Sequence, residues 1–394
     1  MRMKFNRIPA LLVACVLVLK SGSLVYADPS PKPVQAAASS GACVPAAATE
    51  FKDLKKSISN SMAASRGCLA KDKVQVYAHR GFRALAPENT MYGFAAGLKT
   101  HPDWIDMDVV LTRDGEVMVS HDPILNPDIV RDEHGKFLAE SSEALGKASP
   151  EEIARYHSKY TVKNLTQREL QRFDVGSLNR KSAYSRFFPD QVSVEGARIP
   201  TLREVIRFVK KEAGSKVNFQ IEMKTDPAHP ESSADPKLFA QAIYKILHEE
   251  NVVDRAEIQA FDFRCLYELQ SLNKEVRTAY LTSRENEKGG SDDFFHQDPK
   301  IAGLWTGGKL AKDYGHSIPK MIKALGGFAW EPEDAELTKE SLKEAHELGL
   351  KIVVWSWPEK LGTAYEPKLV KKMMDWKVDG IITDDPARLR QATP

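Results

Sequence analysis

From residue 73 onward the chain alternates short apolar runs with longer stretches of helical periodicity. Candidate strands are Val74 to Ala78, Ile105 to Leu111, Val117 to Ser120, Phe219 to Met223, Glu257 to Ala260, Arg277 to Leu281, Gly327 to Ala329, Lys351 to Trp355 and Gly380 to Ile382. Helix-like stretches lie between many of them, for example Thr201 to Glu212, Pro236 to Glu250 and Thr338 to Leu348. This order predicts α/β architecture with a parallel sheet, because parallel neighbours need a long crossover. Roughly 320 residues in one such pattern fit a single (β/α)8 barrel better than two domains. Asn126 to about Asn164 is charged, helix-prone and free of strand alternation, so an insertion is expected there. It follows a candidate strand, where a barrel carries its functional loops.

The first 72 residues do not share the alternation. Arg2, Lys4 and Arg7 precede an apolar run from Ile8 to Leu19, and Val25-Tyr26-Ala27 offers small residues at −3 and −1 of a cleavage site. Residues 1–27 therefore read as a secretory signal peptide. The run is shorter than a membrane span of about 20 apolar residues requires. Lipoprotein processing at Cys15 is a less favoured alternative, since Val16 to Leu19 continue the apolar run past that cysteine. Residues 28–72 are rich in Pro, Ala and Ser and read as a spacer, with Phe51 to Ala64 as one short helix. Export to a periplasmic or extracellular compartment would favour a Cys43–Cys68 disulfide in this segment, the alternative being two free thiols. Cys265, within a helical pattern, is expected to be a buried apolar residue.

Composition narrows the function. With 42% hydrophobic and 28% charged residues the chain is neither disordered nor a polytopic membrane protein. Its net charge of +2 becomes −2 once residues 1–27 are removed, because that segment holds four basic side chains and no acids. A nucleic-acid partner is not expected from such a balance.

Four polar clusters stand at or just past candidate strand ends. His79-Arg80-Gly81 puts a proton carrier beside a fixed cation, with a glycine that permits a sharp turn or close approach. Asp106 and Asp108 are two apart on one strand and share a face, while Ile105, Met107, Val109 and Leu111 form the other. If the acidic face points inward, a divalent cation with oxygen ligands would relieve the repulsion; otherwise both acids are solvated. A strand ending in His121-Asp122-Pro123 supplies a second histidine. Glu222 and Lys224 again share a face; Glu222 could complete a three-carboxylate metal site and Lys224 could hold an anion, or the two form a surface ion pair.

Taken together and in order, these blocks resemble the glycerophosphodiester phosphodiesterases. The resemblance rests on His79-Arg80-Gly81, Pro87-Glu88-Asn89-Thr90, Asp106-Met107-Asp108, His121-Asp122-Pro123, Ile221-Glu222-Met223-Lys224, Val354-Trp355-Ser356 and Val378 to Pro386, and covers roughly residues 73–390. It implies a TIM barrel with an inserted segment after the second histidine, and metal-dependent hydrolysis of a small-molecule glycerophosphodiester to glycerol 3-phosphate and an alcohol. Carried over by position, Asp106, Asp108 and Glu222 would ligate one divalent metal, His79 and His121 would be the acid/base pair, and Arg80 and Lys224 would contact phosphate. The family's first metal acid is Glu; Asp106 is one methylene shorter, which favours Ca²⁺ over the geometrically stricter Mg²⁺. Trp355-Ser356-Trp357-Pro358 also departs from the usual Trp-Thr-Val-Asn, and Phe261 and Trp355 are candidates for the substrate wall. Two other readings stand beside this one: a lyase on the same barrel, of the phospholipase D or phosphatidylinositol phospholipase C kind, and a secreted binding protein without catalysis. The oligomeric state is left open by these residues.

Overall fold

A computed structural model describes residues 74–283, 299–357 and 367–392. The predicted signal peptide 1–27, the spacer 28–72 with Cys43 and Cys68, and Cys15 lie outside the described residues. Nine strands form one sheet: β1 (Gln75–Ala78), β2 (Trp104–Leu111), β3 (Val117–Val119), β4 (Asn218–Met223), β5 (Ala256–Ala260), β6 (Arg277–Thr282), β7 (Ala329–Pro332), β8 (Lys351–Val354) and β9 (Gly380–Thr383). The sheet closes because β1 pairs in parallel with both β9 and β2. β3 lies antiparallel on β2, and the other eight strands make the parallel barrel. The predicted (β/α)8 barrel is therefore the fold.

Alternation along each strand divides wall from lumen. On β2, Ile105, Met107 and Val109 join the large apolar cluster that the outer helices cover, with Phe94 of the helix Met91–Leu98 among it. The residues between them turn inward. In register, Asp106 pairs with Gln220 and Asp108 with Glu222, and next along the sheet Gln220 pairs with Glu257 and Glu222 with Gln259. Two polar layers thus cross the barrel interior. In the lower one, Gln220 donates to Glu331 at 2.5 Å and to Glu257 at 3.3 Å. Burial, then the partner Glu257, pushes the Glu331 carboxyl well above its ordinary range, and the Glu257 carboxyl is pushed up too, chiefly by burial. A shared proton lets such a pair stay buried.

Helix starts follow their sequence signals. Thr201 and Glu204 form a capping box at the helix Leu202–Ala213, and Asp235 with Pro236 starts the helix Pro236–Glu249. Two differences from expectation have physical causes. The strand expected at Gly327 to Ala329 is found at Ala329–Pro332: Gly327 sits so close to Ile322 that a Cβ would lie 2.4 Å from its methyl, and the strand's centre is the buried Glu331, which hides it from an apolar pattern. The segment off the barrel also runs further, from Ser120 to Pro200. It carries the short helices Ser142–Leu145, Pro150–Tyr160 and Gln167–Leu170. Leu125, Val130, Val162, Leu170, Val175 and Ile199 form its own small core against Val110 and Met118. Among the described residues no helix is long and apolar enough to cross a membrane.

Candidate active site

The site begins where β1 ends. Gly81 has φ +91°, and a Cβ there would lie 2.5 Å from the carbonyl carbon of Gly93. Gly97 in turn is pressed on the Gly81 carbonyl, where a Cβ would sit at 2.6 Å. The His79-Arg80-Gly81 turn is thus seated directly on the backbone of the helix Met91–Leu98. Arg80 and Asn89 both hold left-handed backbone, φ 52° and 54°, a strained state for non-glycine residues that neighbours must enforce. Gly81→Ala combines a disfavoured φ with a backbone clash and should cost about 2–5 kcal/mol. Urea unfolding would measure it, and a change below 1 kcal/mol would refute the tight seating.

Each predicted histidine is held by a carboxylate. His79 Nδ1 lies 2.7 Å from Asp384, just past β9, and Arg83 grips both oxygens of Asp384 at 2.8 Å. Arg83 Nη2 is also 3.2 Å from His79 Nδ1. Burial, then the Arg83 charge, lowers the His79 pKa to about 4 against the opposing pull of Asp384. Burial would raise Asp384, but Arg83 and His79 outweigh it and hold that carboxyl below the ordinary range. With Asp384 ionised, Nδ1 of His79 carries the hydrogen and Nε2 keeps its lone pair, which accepts from Arg80 Nε at 3.3 Å. His121 Nδ1 lies 2.9 Å from Asp122, whose other oxygen accepts from Asn126.

The three predicted acids converge from adjacent strands, and the inward alternative for Asp106 and Asp108 is the one found. Both are buried, as is Glu222. Arg80 Nε lies 3.0 Å from Asp108, and the Lys224 ammonium lies 2.5 Å from Glu222 and 3.3 Å from Asp108. Glu222 is buried and Lys224 half-buried, so the pair lies at the barrel mouth and is not a surface ion pair. Burial and the Asp108 and Glu222 charges push the Asp106 carboxyl well above its usual range. For Asp108 burial is outweighed by Arg80 and Lys224, and the carboxyl is held well below. Among the described residues no three His, Cys, Asp or Glu side chains close on one point as they stand. The Lys224 ammonium takes the space between Asp108 and Glu222. The donor set nevertheless suits a hard divalent cation: three buried carboxylates face two cations, and Asp106 is the one left short of positive charge.

Several side chains given no role by the sequence pattern hold the site's charged groups in place. Glu88 accepts from Arg80 at 2.7 Å, and Asn89 donates to Asp108 at 2.8 Å, so the Pro-Glu-Asn-Thr turn fixes one cation and one acid. Tyr184, from the insertion, bonds Glu88 and receives Arg83 at 3.3 Å, while Phe188 lies under the Arg83 guanidinium at 4.7 Å. Gln259 donates to Asp106 at 2.9 Å. Asp384 stands in a quoted motif and Arg83 in none, and both meet His79 only through folding. His79, Arg80, His121, Lys224, Asp106 and Glu222 all line one cavity of about 620 Å³, with the predicted wall residues Phe261 and Trp355. Asp108 sits behind it, buried.

Comparison with known proteins places this geometry. The Glycerophosphoryl diester phosphodiesterase family profile matches residues 79–388. A glycerophosphodiester phosphodiesterase of Bacillus altitudinis is 26% identical over 317 residues, 80% of this chain and 96% of that protein. A solved structure from Silicibacter pomeroyi, provisionally named a glycerophosphoryl diester phosphodiesterase, is 27% identical with TM-score 0.65, covering 84% of this chain and 96% of its own. In fold the chain is also similar to an Oleispira antarctica phosphodiesterase solved with the product sn-glycerol-3-phosphate, with 16% identity, TM-score 0.53, and 81% and 96% of the two chains covered. A closed barrel with this polar mouth is, with these matches, an enzyme of the phosphoric diester hydrolase class. The chain belongs to the glycerophosphoryl diester phosphodiesterase family.

Proposed function

We propose that this chain hydrolyses glycerophosphodiesters to sn-glycerol 3-phosphate and the free alcohol, with His79 and His121 as the acid/base pair and a divalent cation at Asp106, Asp108 and Glu222. The observation that carries the reading is the meeting, in one cavity, of two carboxylate-held imidazoles with Arg80 and Lys224 beside an acid cluster. A phosphodiester is anionic, so its displacement needs neutralised charge, a base and an acid for the leaving oxygen. A bound cation would supply Lewis-acid charge to a phosphoryl oxygen. Arg80 and Lys224 neutralise the remaining oxygens, and both are kept ionised and aimed by buried acids.

The hydrogen bonds favour His79 as the proton acceptor. Asp384 fixes its hydrogen on Nδ1, which leaves the Nε2 lone pair to take a proton, and a pKa near 4 keeps the ring neutral at pH 7. His121 then donates to the leaving oxygen. Asp384→Asn removes the group that fixes the tautomer and should lower kcat by ~10²–10⁴-fold. Asp384 raises the His79 pKa, so its loss moves the acidic limb of the kcat/KM profile to lower pH. A limb that moves up would oppose this role.

The reaction is tested by coupled detection of sn-glycerol 3-phosphate from glycerophosphocholine, glycerophosphoethanolamine and glycerophosphoglycerol, with phosphorus NMR of the products. Accumulation of a cyclic phosphate as the end product would support the lyase reading, and no turnover with any diester would support the binding protein.

A further inference from the structure

We infer that the substrate's alcohol end is met by an aromatic subsite that selects a quaternary ammonium head group, an inference that rests on the phosphodiesterase reading above. Phe261, Trp305, Trp355 and Trp357 line the same cavity as the histidines, and all four are only partly buried. Phe261 and Trp355 meet edge to face with centroids 5.5 Å apart and planes at 88°. Trp355 and Trp357 do so at 5.1 Å and 72°. Successive rings at steep angles to one another make a stepped aromatic wall along the cavity. The Trp355 indole donates to the Glu331 carbonyl at 3.0 Å, which fixes the middle ring. Phe261 and Trp355 occupy positions that the family resemblance covers. Trp357 packs on Trp355 and adds a further ring to that wall.

Water-facing aromatic surface is costly to maintain without a ligand. Charge then selects the ligand. Among the cavity's lining residues carboxylates outnumber lysines and arginines, and the basic ones are tied to acids. A second anion is disfavoured and a cation favoured. A primary ammonium brings N–H groups that ring faces satisfy poorly, and an indole N–H is a donor only. A trimethylammonium has no N–H to satisfy and presents apolar methyl groups with a diffuse positive charge, the chemistry that aromatic faces attract.

The test compares kcat/KM for glycerophosphocholine, glycerophosphoethanolamine, glycerophosphoglycerol and the neutral isostere glycerophospho-3,3-dimethylbutanol, in the wild type, Trp357→Val and Trp357→Phe. The wild type should prefer the choline ester to the neutral isostere by roughly tenfold, the size of a partly desolvated cation–aromatic contact. Trp357→Val should lose about fivefold more on the choline ester than on the glycerol ester, and Trp357→Phe should recover most of that loss. Equal losses on all four esters would reduce Trp357 to a structural role. Preference for the neutral isostere would make the wall merely apolar. Either result overturns the inference. If no ester is hydrolysed, the reaction assignment has failed instead; quenching of tryptophan fluorescence by tetramethylammonium then still tests the subsite, with weaker binding expected in Trp357→Val and identical binding overturning it.

Discussion

His79→Ala and His121→Ala each reduce kcat by ~10²–10⁴-fold on glycerophosphocholine while far-ultraviolet circular dichroism stays that of the wild type. The fold should survive because neither ring is part of an apolar cluster, and removal of His79 leaves the Arg83–Asp384 pair intact. The two losses should also differ in their pH signature. His79 titrates near pH 4, so between pH 5 and 8 it contributes no acidic limb, and whatever limb remains in that range should persist in His79→Ala. Full activity in either variant would remove that residue from the acid/base pair.

Dialysis against excess EDTA should abolish turnover, and adding back a divalent cation should restore it, Ca²⁺ ahead of Mg²⁺. The apoprotein should remain folded, because Lys224 and Arg80 already neutralise part of the acid cluster. Saturation at 100 times Kd adds about 2.7 kcal/mol and should raise Tm by several degrees. Asp106→Glu restores the longer side chain and should narrow the gap between the two ions. Undiminished rates after chelation would dismiss the cation site, and an unchanged Tm would dismiss binding there.

Much of this site could be read from sequence because its parts are local. His79 and Arg80 are contiguous, and strand periodicity alone places Asp106 beside Asp108 and Glu222 beside Lys224. The barrel was legible for a related reason: the outward positions of several strands are apolar, such as Ile105, Met107 and Val109 on β2, Phe219, Ile221 and Met223 on β4, and Ile352 and Val354 on β8. What was not legible depends on closure. Asp384 reaches His79 from 305 positions away, because β9 returns to β1, and nothing local marks it as that ring's partner. Tyr184 reaches Glu88 from a segment with little regular structure. Strand β7 starts two residues and ends three residues later than the apolar pattern suggests because its inward-facing residue is Glu331, and a buried acid with its own amide and carboxyl partners violates the rule by which strands are found.

The glycine contacts beneath His79 and Arg80 split the cavity into two halves with different freedom to change. On one side, backbone rests on backbone at Gly81, Gly93 and Gly97, so any added side chain disturbs the turn that carries His79 and Arg80. On the other, the wall is made of side chains at β5, β8 and the segments beyond them, which can be exchanged without moving a main-chain atom of that turn. A side-chain change at Trp305 or Trp357 should therefore alter the wall of the cavity and leave the turn at His79 and Arg80 in place, whereas a change at Gly81, Gly93 or Gly97 should do the reverse.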